Sequence, residues 1–433
     1  MKSEMLNTTL LHPKDQITLV IGRIYQRGLT TTSGGNISIR DENGDIWITP
    51  SAVDKGSLRS TDIVCMKDGV TKVGIYKPSS EFPFHKAIYD ARPDVKAIIH
   101  AHPPALVSFS IVRQIPNTKV ISQARHVCGP VGYAEYKLPG SAALGKTIAD
   151  EFIKGFNGVI MENHGTVVGG TDLSDAFQRF ETLEFCARAI LFSNMMGKPD
   201  YLSDEQINEF ENQLPDPLPE MKEVTYPADE REKRSEICKI VHRACSQGLM
   251  MSSYGTVSMR WRGNDFLITP TDKPRWDLQI EDIVQIKNGQ REPGKIPSRT
   301  TYLHQEIYNQ HPEINSIILT QSPYLMAFAV SDAEFNVRTI PESWIFLQDV
   351  HTLEFGAHFQ GIKKVSAALS KNSPAILIKN DCILVTGDQL LQTFDYLEVA
   401  EFSAKSLVIC APMGKMVPIN DEQVEELRAA FLK

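Results

Sequence analysis

The amino-acid sequence repeats itself once along its 433 residues, and this duplication constrains the fold more than any other feature. The Gly-x-Ile-Ser-Ile-Arg segment that begins at Gly35 returns as Gly-x-Val-Ser-Met-Arg at Gly255, 220 residues later. An Ile-Thr-Pro turn that begins at Ile48 returns with the same offset at Ile268. Solenoid repeats are only about 20–50 residues long. A repeat of this length therefore predicts two tandem copies of a complete domain.

Each copy is predicted to be an α/β domain. The linker between them is expected at Gln213–Glu232, where four prolines lie among charged residues, which leaves domains at 1–212 and 233–433. Helical periodicity in the first copy predicts the helices Pro13–Gln26, Phe82–Ala91, Ala142–Phe156 and Leu173–Met196. Apolar runs predict the strands Asp45–Thr49, Ile63–Met66, Val95–His100 and Gly158–Met161. Strands bounded by helices indicate a layered α/β/α arrangement.

The composition argues against several classes of function. A total of 45 Lys and Arg against 53 Asp and Glu gives a net charge of −8, and no basic run is present, so nucleic acid is not an expected partner. No apolar signal region follows Met1–Met5, and no apolar run reaches the ~18–20 residues that cross a membrane. Seven scattered cysteines indicate the reducing cytoplasm. The acidic pair Glu181 and Glu184 is expected on a solvated or subunit-facing helix edge.

Three histidines at predicted strand ends form a candidate metal site. His100 and His102 follow an apolar run, and residues two apart in a strand point to the same face. His164 also follows an apolar run. Three imidazoles with an open fourth position describe a catalytic zinc site. Glu81, at a predicted helix start, would supply a fourth ligand or a base, whereas a single His-x-His pair alone is weak evidence.

A turn of small residues, Thr32–Asn36, lies between a predicted helix and a predicted strand. Its glycines let backbone N–H groups approach an anion, and Ser79 and Ser80 offer hydroxyls at the start of a helix. This combination favours a phosphate pocket. A plain glycine turn capped by serine is the alternative interpretation.

Together, and in this order, these residues resemble the class II aldolase/adducin family over nearly all of Gly22–Met196. The matching motifs are Gly-Gly-Asn-Ile-Ser at 34–38, Thr-Pro-Ser at 49–51, Ser-Ser-Glu at 79–81, His-x-His-Pro at 100–103, Tyr136 with Gly140, and Asn-His-Gly at 163–165. The resemblance implies two tandem three-layer α/β/α domains, each around a mainly antiparallel or mixed sheet.

The resemblance also implies roles for individual residues. His100, His102 and His164 would bind Zn²⁺, with Glu81 as the acid/base that also occupies the metal in the resting state. The residues that would hold a substrate phosphate are Gly35, Asn36, Ser51, Ser79 and Ser80. In the family's aldolases a tyrosine from a neighbouring subunit protonates the product side, and Tyr136 resembles it. A homo-oligomer is therefore expected.

The implied activity is that of a zinc-dependent lyase, which would cleave a small phosphorylated ketose to dihydroxyacetone phosphate and an aldehyde. Zinc would act as a Lewis acid on the charge that develops as the carbon–carbon bond breaks. The same family contains epimerases, dehydratases and decarboxylases of sugar phosphates, and its epimerases usually carry Asp at the position of Glu81. Adducin-like heads keep the fold without the metal and act in assembly. Metal content separates the enzymes from the assembly proteins.

The second copy lacks every candidate chemical residue of the first. The replacements are Thr300 for Glu81, Leu319 for His100, Gln321 for His102 and Asp381 for His164, while Tyr136 falls near Thr352. Tyr254 replaces Gly34 and would crowd a phosphate turn. His85 persists as His304, which predicts a structural role for both. The second copy is thus expected to be a pseudo-domain without a metal.

Overall fold

The structure is a computed structural model that describes residues 10–212 and 215–432. The segment Met1–Met5 and the first two positions of the predicted linker lie outside the described residues. The chain divides into two compact units. Unit 1 consists of Met1–Thr118 and Ala124–Arg188, and unit 2 of Lys119–Gln123 and Ala189–Lys433. The limits 1–212 and 233–433 remain a prediction of which segments fold independently.

The first copy alternates strands with helices. Its strands are β1 (Asn36–Arg40), β2 (Ile46–Ile48), β3 (Val64–Lys67), β4 (Val70–Val73), β5 (Ala97–Ala101), β6 (Gly132–Ala134), β7 (Gly158–Met161) and β8 (Gly165–Gly170). Its helices are α1 (Pro13–Gln26), α2 (Phe82–Ala91), α3 (Pro104–Ile111), α4 (Ser122–Cys128), α5 (Ala142–Ile153) and α6 (Leu173–Met196). Helix α6 continues from unit 1 into unit 2.

The second copy, in unit 2, follows the same order with additional helices. Its strands are β9 (Thr256–Arg262), β10 (Asp265–Ile268), β11 (Val284–Lys287), β12 (Gln290–Arg291), β13 (Ser316–Thr320), β14 (Val350–Leu353), β15 (Ala375–Ile378) and β16 (Cys382–Gly387). The helices of this part of the chain are α7 (Asp204–Asn212), α8 (Ala228–Gln247), α9 (Thr301–Gln310), α10 (Pro323–Ala329), α11 (Pro341–Leu347), α12 (Ala357–Gln360), α13 (Ile362–Ala368), α14 (Leu390–Cys410) and α15 (Asp421–Phe431). None of the helices within the described ranges is long and apolar enough to span a bilayer.

Both copies have the same sheet topology. Within the described residues, the first copy forms an eight-stranded sheet in the order β4-β3-β2-β1-β5-β8-β7-β6, and the second forms one in the order β12-β11-β10-β9-β13-β16-β15-β14. Neighbouring strands are antiparallel, as in β1–β5 and β5–β8, except for the outer pairs β6–β7 and β14–β15, which are parallel. The predicted mainly antiparallel, mixed sheet is confirmed.

Helices cover both faces of the unit 1 sheet. All five residues of the central strand β5 are buried, as expected for a strand with two covered faces. On one face, Phe84 of α2 and Ile148 of α5 pack into one apolar cluster with Ile98. Helices α1 and α3 contribute no residue to that cluster and contact β1, β7 and β8 from the other side. The predicted layered α/β/α arrangement is confirmed.

The predicted elements with strong apolar periodicity have the expected limits. Helices α1, α2 and α6 begin and end where the sequence predicts. Helix α5 ends three residues early, at Ile153, because Gly155 adopts a left-handed φ of +97° that a helix cannot continue through. Strand β4 was not predicted, since all four of its residues are exposed and show no apolar alternation.

A buried cation holds the turn after β2 against the loop after α1 in both copies. Lys55 is only 2% exposed, and its Nζ donates to the carbonyl of Pro50 at 3.0 Å. Its backbone N–H donates to the carbonyl of Thr32 at 2.9 Å. Arg275 makes the two equivalent bonds in the second copy, both at 2.8 Å. This contact fixes the start of the glycine turn that precedes β1.

The prediction for Glu181 and Glu184 is wrong, because both side chains are buried at 2% exposure. Glu181 accepts a hydrogen bond of 2.8 Å from Arg27. Glu184 accepts two backbone N–H groups of the first turn of α3, at 3.1 and 3.4 Å, and so caps that helix. Glu401 caps α10 in the same way in the second copy. The spacing of two acidic residues three positions apart on a helix does not reveal that the N-terminus of another helix packs against them.

Candidate metal centre

Three histidines meet where the central strands of the unit 1 sheet end. His100 lies in β5, His102 follows that strand, and His164 lies in the turn between β7 and β8. Because β5 pairs with β8, the turn lies beside the end of β5. One ligand atom of each histidine lies within 4.8 Å of the other two. The structure thus brings together the three histidines that the sequence singled out.

The hydrogen bonds of His100 leave one of its ring nitrogens for a metal ion. His100 Nδ1 lies 2.9 Å from the carbonyl oxygen of Thr166 and donates to it, because a carbonyl can only accept. The lone pair of the neutral ring is therefore on Nε2. That atom lies 3.1 Å from His102 Nε2 and 3.2 Å from Glu81 Oε2. A ring oriented by a backbone carbonyl, with its far nitrogen free, is the usual arrangement of a metal-binding histidine.

Glu81 completes the cluster from the N-cap of helix α2. The residue is 8% exposed, and its Oε2 accepts a 2.7 Å hydrogen bond from Asn36 Nδ2. Its Oε1 lies 3.4 Å from His164 Nε2 and is buried without a hydrogen-bond partner in the described residues. Burial opposes ionisation, but the adjacent His100 and His164 rings and the Asn36 amide hold the pKa of Glu81 well below its usual value.

Burial keeps two of the three rings in the neutral form that can bind a metal. It lowers the pKa of His102 to about 3 and that of His164 to about 4, and the neighbouring His100 adds to both shifts. Burial also opposes protonation of His100, but there the adjacent Glu81 carboxylate raises the pKa. Metal ligands must be deprotonated. Two neutral rings and an ionised carboxylate in the cluster are therefore in the protonation state that metal binding requires.

The donor set fits a divalent metal ion. Three imidazole nitrogens and one carboxylate are ligands that zinc and related ions prefer. The orphaned Glu81 Oε1 is a buried acceptor that a cation would satisfy. In the second copy, the strand register places Leu319 where His100 lies. Within the parts of the chain that the structure describes, no other group of three His, Cys, Asp or Glu side chains has the spacing of a metal site.

The glycine turn packs directly against the histidines. Gly35 has a φ of +71°, and a Cβ at this position would lie 2.8 Å from the carbonyl oxygen of His100. A Cβ at Gly34 would lie 3.0 Å from His102 Nδ1. Only glycine therefore lets this backbone come so close to the metal ligands.

The predicted phosphate-binding serines lie beside this turn on two adjoining loops. Ser51 donates its backbone N–H to the carbonyl of Lys77 at 3.0 Å, and the N–H of Ser79 donates to the carbonyl of Thr49 at 3.1 Å. Ser79 is buried, and its hydroxyl accepts the backbone N–H of Glu81 at 3.2 Å. Ser80 is exposed and precedes the first turn of α2. The backbone pairing thus brings Ser51, Ser79 and Ser80 to the side of the cluster where α2 begins.

A hydrogen-bond chain that the sequence did not reveal connects the core to Glu81. The Tyr89 hydroxyl lies 2.8 Å from Ser38 Oγ, which lies 2.7 Å from His85 Nδ1. His85 Nε2 lies 2.5 Å from Asn36 Oδ1, and the Asn36 amide donates to Glu81. One assignment of protons satisfies all four bonds, with every group donating toward Glu81. Asn36, expected to contact phosphate, thus uses its side chain to hold the carboxylate.

The second copy keeps only the core end of this chain. Ser258 Oγ lies 2.7 Å from both His304 Nδ1 and the Tyr308 hydroxyl. Thr256 replaces Asn36, and His304 Nε2 is buried without a hydrogen-bond partner in the described residues. A structural role, as predicted, accounts for every hydrogen bond of His304. In His85 it accounts for Nδ1 only, because Nε2 contacts Asn36. In the sequence, the only signal of this difference was the replacement of Asn36 by Thr256.

Tyr136 makes no recorded contact with the cluster side chains within the described residues. It follows β6, its side chain is 54% exposed, and its backbone N–H donates to Glu162 at 3.1 Å. The register of the outer strands pairs Ala134 with Met161 and, in the second copy, Leu353 with Ile378. The counterpart of Tyr136 is therefore Phe355, and its expected placement near Thr352 is wrong by three positions. The phenolic hydroxyl is lost in either case.

Comparison with known proteins gives the relatives of the chain. Residues 15–191 and 235–408 match the family described as Class II Aldolase and Adducin N-terminal domain, which confirms two tandem domains of one kind. The chain is 31% identical over 203 residues to a 3-oxo-tetronate 4-phosphate decarboxylase of Haemophilus influenzae, covering 46% of this chain and 95% of that protein.

Two aldolases show similar identity. The chain is 31% identical over 201 residues to a 5-deoxy-D-ribulose 1-phosphate aldolase of Bacillus thuringiensis, covering 45% of this chain and 91% of that protein. It is 33% identical over 189 residues to an L-fuculose phosphate aldolase of Methanocaldococcus jannaschii, covering 43% and 99%. Each of these relatives has about the length of one copy.

We expect one divalent metal ion per chain. Replacing His102 by alanine should weaken metal affinity by more than about 100-fold, because loss of an outer hydrogen-bond partner alone typically costs about 10–100-fold. Gln321→Ala, the same change at the equivalent position of the second copy, should leave the metal content unchanged. Elemental analysis after dialysis checks both. Two ions per chain, or full metal in His102→Ala, would contradict the single site.

The histidine pair supplies a second test. His85→Ala and His304→Ala each remove an imidazole that bonds to the equivalent serine of its copy. Both variants should therefore lower the free energy of unfolding by roughly 2–4 kcal/mol. Only His85→Ala should also weaken metal affinity, because Asn36 then loses the bond that orients it toward Glu81. Urea unfolding and metal titration of the folded variants provide the two measurements. Equal metal affinities would show that His85 is structural alone.

Proposed function

Since the chain belongs to the class II aldolase and adducin family, we propose that its first copy is a zinc-dependent lyase that cleaves a small phosphorylated ketose to dihydroxyacetone phosphate and an aldehyde. The observation that carries the proposal is the convergence of His100, His102 and His164 with the Glu81 carboxylate. The aldolases among the relatives act on ketose phosphates, as their names state. An assembly protein has no use for this buried donor set.

In this proposal the chain's own residues bind the substrate and move protons. A zinc ion held by the three imidazoles would supply Lewis-acid stabilisation of negative charge on substrate oxygens. Glu81 would transfer a proton at the carbon from which the aldehyde departs. Its Oε2 is held by Asn36, while its Oε1 has no hydrogen-bond partner among the described residues, so Oε1 is the atom that we assign to the transfer.

The phosphate of the substrate would bind at the glycine turn and the start of α2. The residues assigned to it are Gly35, Asn36, Ser51, Ser79 and Ser80, with Asn36 contributing through its backbone because its side chain is already bonded. Backbone N–H groups at a glycine turn and at a helix N-terminus are suited to anions. Because these residues lie beside the histidines, the phosphate would bind at one end of the substrate while the other end reaches the metal.

A decarboxylase of a sugar-acid phosphate is the second candidate. One relative at 31% identity is named as such an enzyme, and identity at this level does not separate the two reactions. Both would use the same ligands, because each breaks a carbon–carbon bond and leaves negative charge beside a carbonyl. The leaving group distinguishes them, since an aldolase releases an aldehyde and a decarboxylase releases carbon dioxide. A panel of ketose phosphates and 3-oxo acid phosphates, assayed for both products, decides between them.

Glu81→Gln tests the acid/base role. We expect this variant to keep its fold and most of its metal but to lose turnover by at least about 100-fold, because an amide cannot transfer the proton at neutral pH. Glu42→Gln, the same change at an exposed position, is the matched control. The measurements are steady-state turnover and metal content. Near wild-type turnover would reject the role, and loss of the metal would make Glu81 an essential ligand instead.

We further propose a homo-oligomer of whole chains, a dimer or a tetramer, in which Tyr136 acts at the site of a neighbouring first copy. Its exposure supports this assignment, as does the absence of a bond from its side chain to the cluster within the described residues. His102→Ala and Tyr136→Phe should each be nearly inactive, yet co-expressed chains should regain activity, because some sites then combine intact residues from both. Light scattering gives the mass. Fully active monomers would contradict the proposal.

A further inference from the structure

Unit 2 contains a cavity at the place that corresponds to the candidate metal centre of the first copy. Its volume is about 650 Å³, which is in the usual range of small-molecule sites. Thr300 and Arg299, which line it, hold the positions of Glu81 and Ser80. The second copy has therefore lost the metal ligands but has kept a pocket at the start of the same helix.

A rebuilt polar network contacts this cavity through one of its lining residues, His358. Asp381, at the position of His164, is fully buried, and its Oδ2 lies 2.7 Å from His358 Nδ1. Its Oδ1 accepts a 3.0 Å hydrogen bond from the hydroxyl of Tyr254, the residue that replaces Gly34. The amide of Gln321, at the position of His102, donates to the Asp381 carbonyl at 2.8 Å. Three of the replaced positions thus belong to one network.

His358 is one of the residues that line the cavity. The residue lies on the short helix α12, which has no counterpart between β6 and α5 in the described first copy. Because Nδ1 lies at ion-pair distance from Asp381, Nε2 is the nitrogen that we assign to a ligand. Phe359 of the same helix lines the cavity and contacts Phe210 of α7 at a ring distance of 6.4 Å. His358 thus lies beside apolar residues in a lining that also contains polar side chains, Asp216 among them.

Arg299 is fixed in place but keeps most of its donors. One Nη2 hydrogen is donated to the carbonyl of Phe210 at 2.7 Å, and the guanidinium lies 4.4 Å from the centre of the Phe210 ring. No described residue accepts from its Nε or Nη1. A guanidinium that is held on one edge and open on the other can bind a phosphate with little further ordering. It stands directly before α9, whose positive N-terminal end adds to the attraction.

We propose that this cavity binds a small phosphorylated metabolite, with the phosphate on Arg299 and the start of α9, and His358 Nε2 on a polar group of the organic part. The wall formed by Leu303, Phe359 and Ile362 would cover the remaining carbon atoms. A metal ion is not suited to the site, because Arg299 is a cation and the former ligands are gone. The proposal does not depend on the lyase activity of the first copy.

Hydrogen exchange of the full-length protein, followed by mass spectrometry, locates the binding. The probes are inorganic phosphate, glycerol 3-phosphate and glycerol. We expect glycerol 3-phosphate to protect backbone amides at 299–303 and 357–362, inorganic phosphate to protect them less, and glycerol to protect none. Protection confined to 34–36 and 79–81 would overturn the proposal, because it would assign all phosphate binding to the first copy. A monoester that binds no better than inorganic phosphate would overturn the role of the apolar wall.

Calorimetric titration with glycerol 3-phosphate tests the role of Arg299. Arg299→Gln should weaken the unit 2 site by about tenfold or more, the usual effect of losing a charged hydrogen bond. Arg299→Lys, which keeps the charge but loses the planar fork, should weaken it less and serves if the glutamine variant does not fold. Arg262→Gln removes an exposed charge of the same unit and should change nothing. Unchanged affinity in both Arg299 variants would overturn the site, whatever happens to lyase activity.

Discussion

The hydrogen bond between a serine of the central sheet (β1 or β9) and a histidine of the adjoining helix (α2 or α9) is the contact on which the rest of each copy depends. It joins the central sheet to the helix whose N-terminus carries Glu81 or Thr300. The bond is 2.7 Å in both copies, from Ser38 to His85 and from Ser258 to His304. Its persistence in both copies shows that the fold needs it without the metal centre.

The same contact explains how one fold carries two different sites. In the first copy, His85 extends the network through Asn36 to a carboxylate beside three histidines. In the second, Thr256 ends it, and the polar centre is rebuilt around Asp381 instead. The backbone that positions these groups is the same, since the strand registers of the two sheets agree. Duplication therefore separates what the scaffold requires from what each site requires.

Sequence patterns predict the parts of this molecule that depend on local periodicity or on a recognised motif. Helices α1 and α2, the layered sheet and the three histidines are of this kind. The use of the Asn36 side chain left a signal only in its replacement by Thr256, whereas the burial of Glu184 and the approach of His358 to Asp381 could not be predicted. Each depends on a contact between segments far apart in the chain, for which neither spacing nor composition carries a signal. Likewise, only the register of the outer strands identifies Phe355 as the position in the second copy that is equivalent to Tyr136.

The central claim is that one copy holds a metal site and the other has lost it while keeping the scaffold. Anomalous X-ray diffraction at the zinc edge, from crystals of the zinc-loaded full-length protein, tests this most directly. The account predicts one strong peak per chain, within about 2.0–2.1 Å of a ring nitrogen of each of His100, His102 and His164, and none beside Leu319, Gln321 and Asp381. Peaks of equal height in both copies, or none at the three histidines, would contradict it.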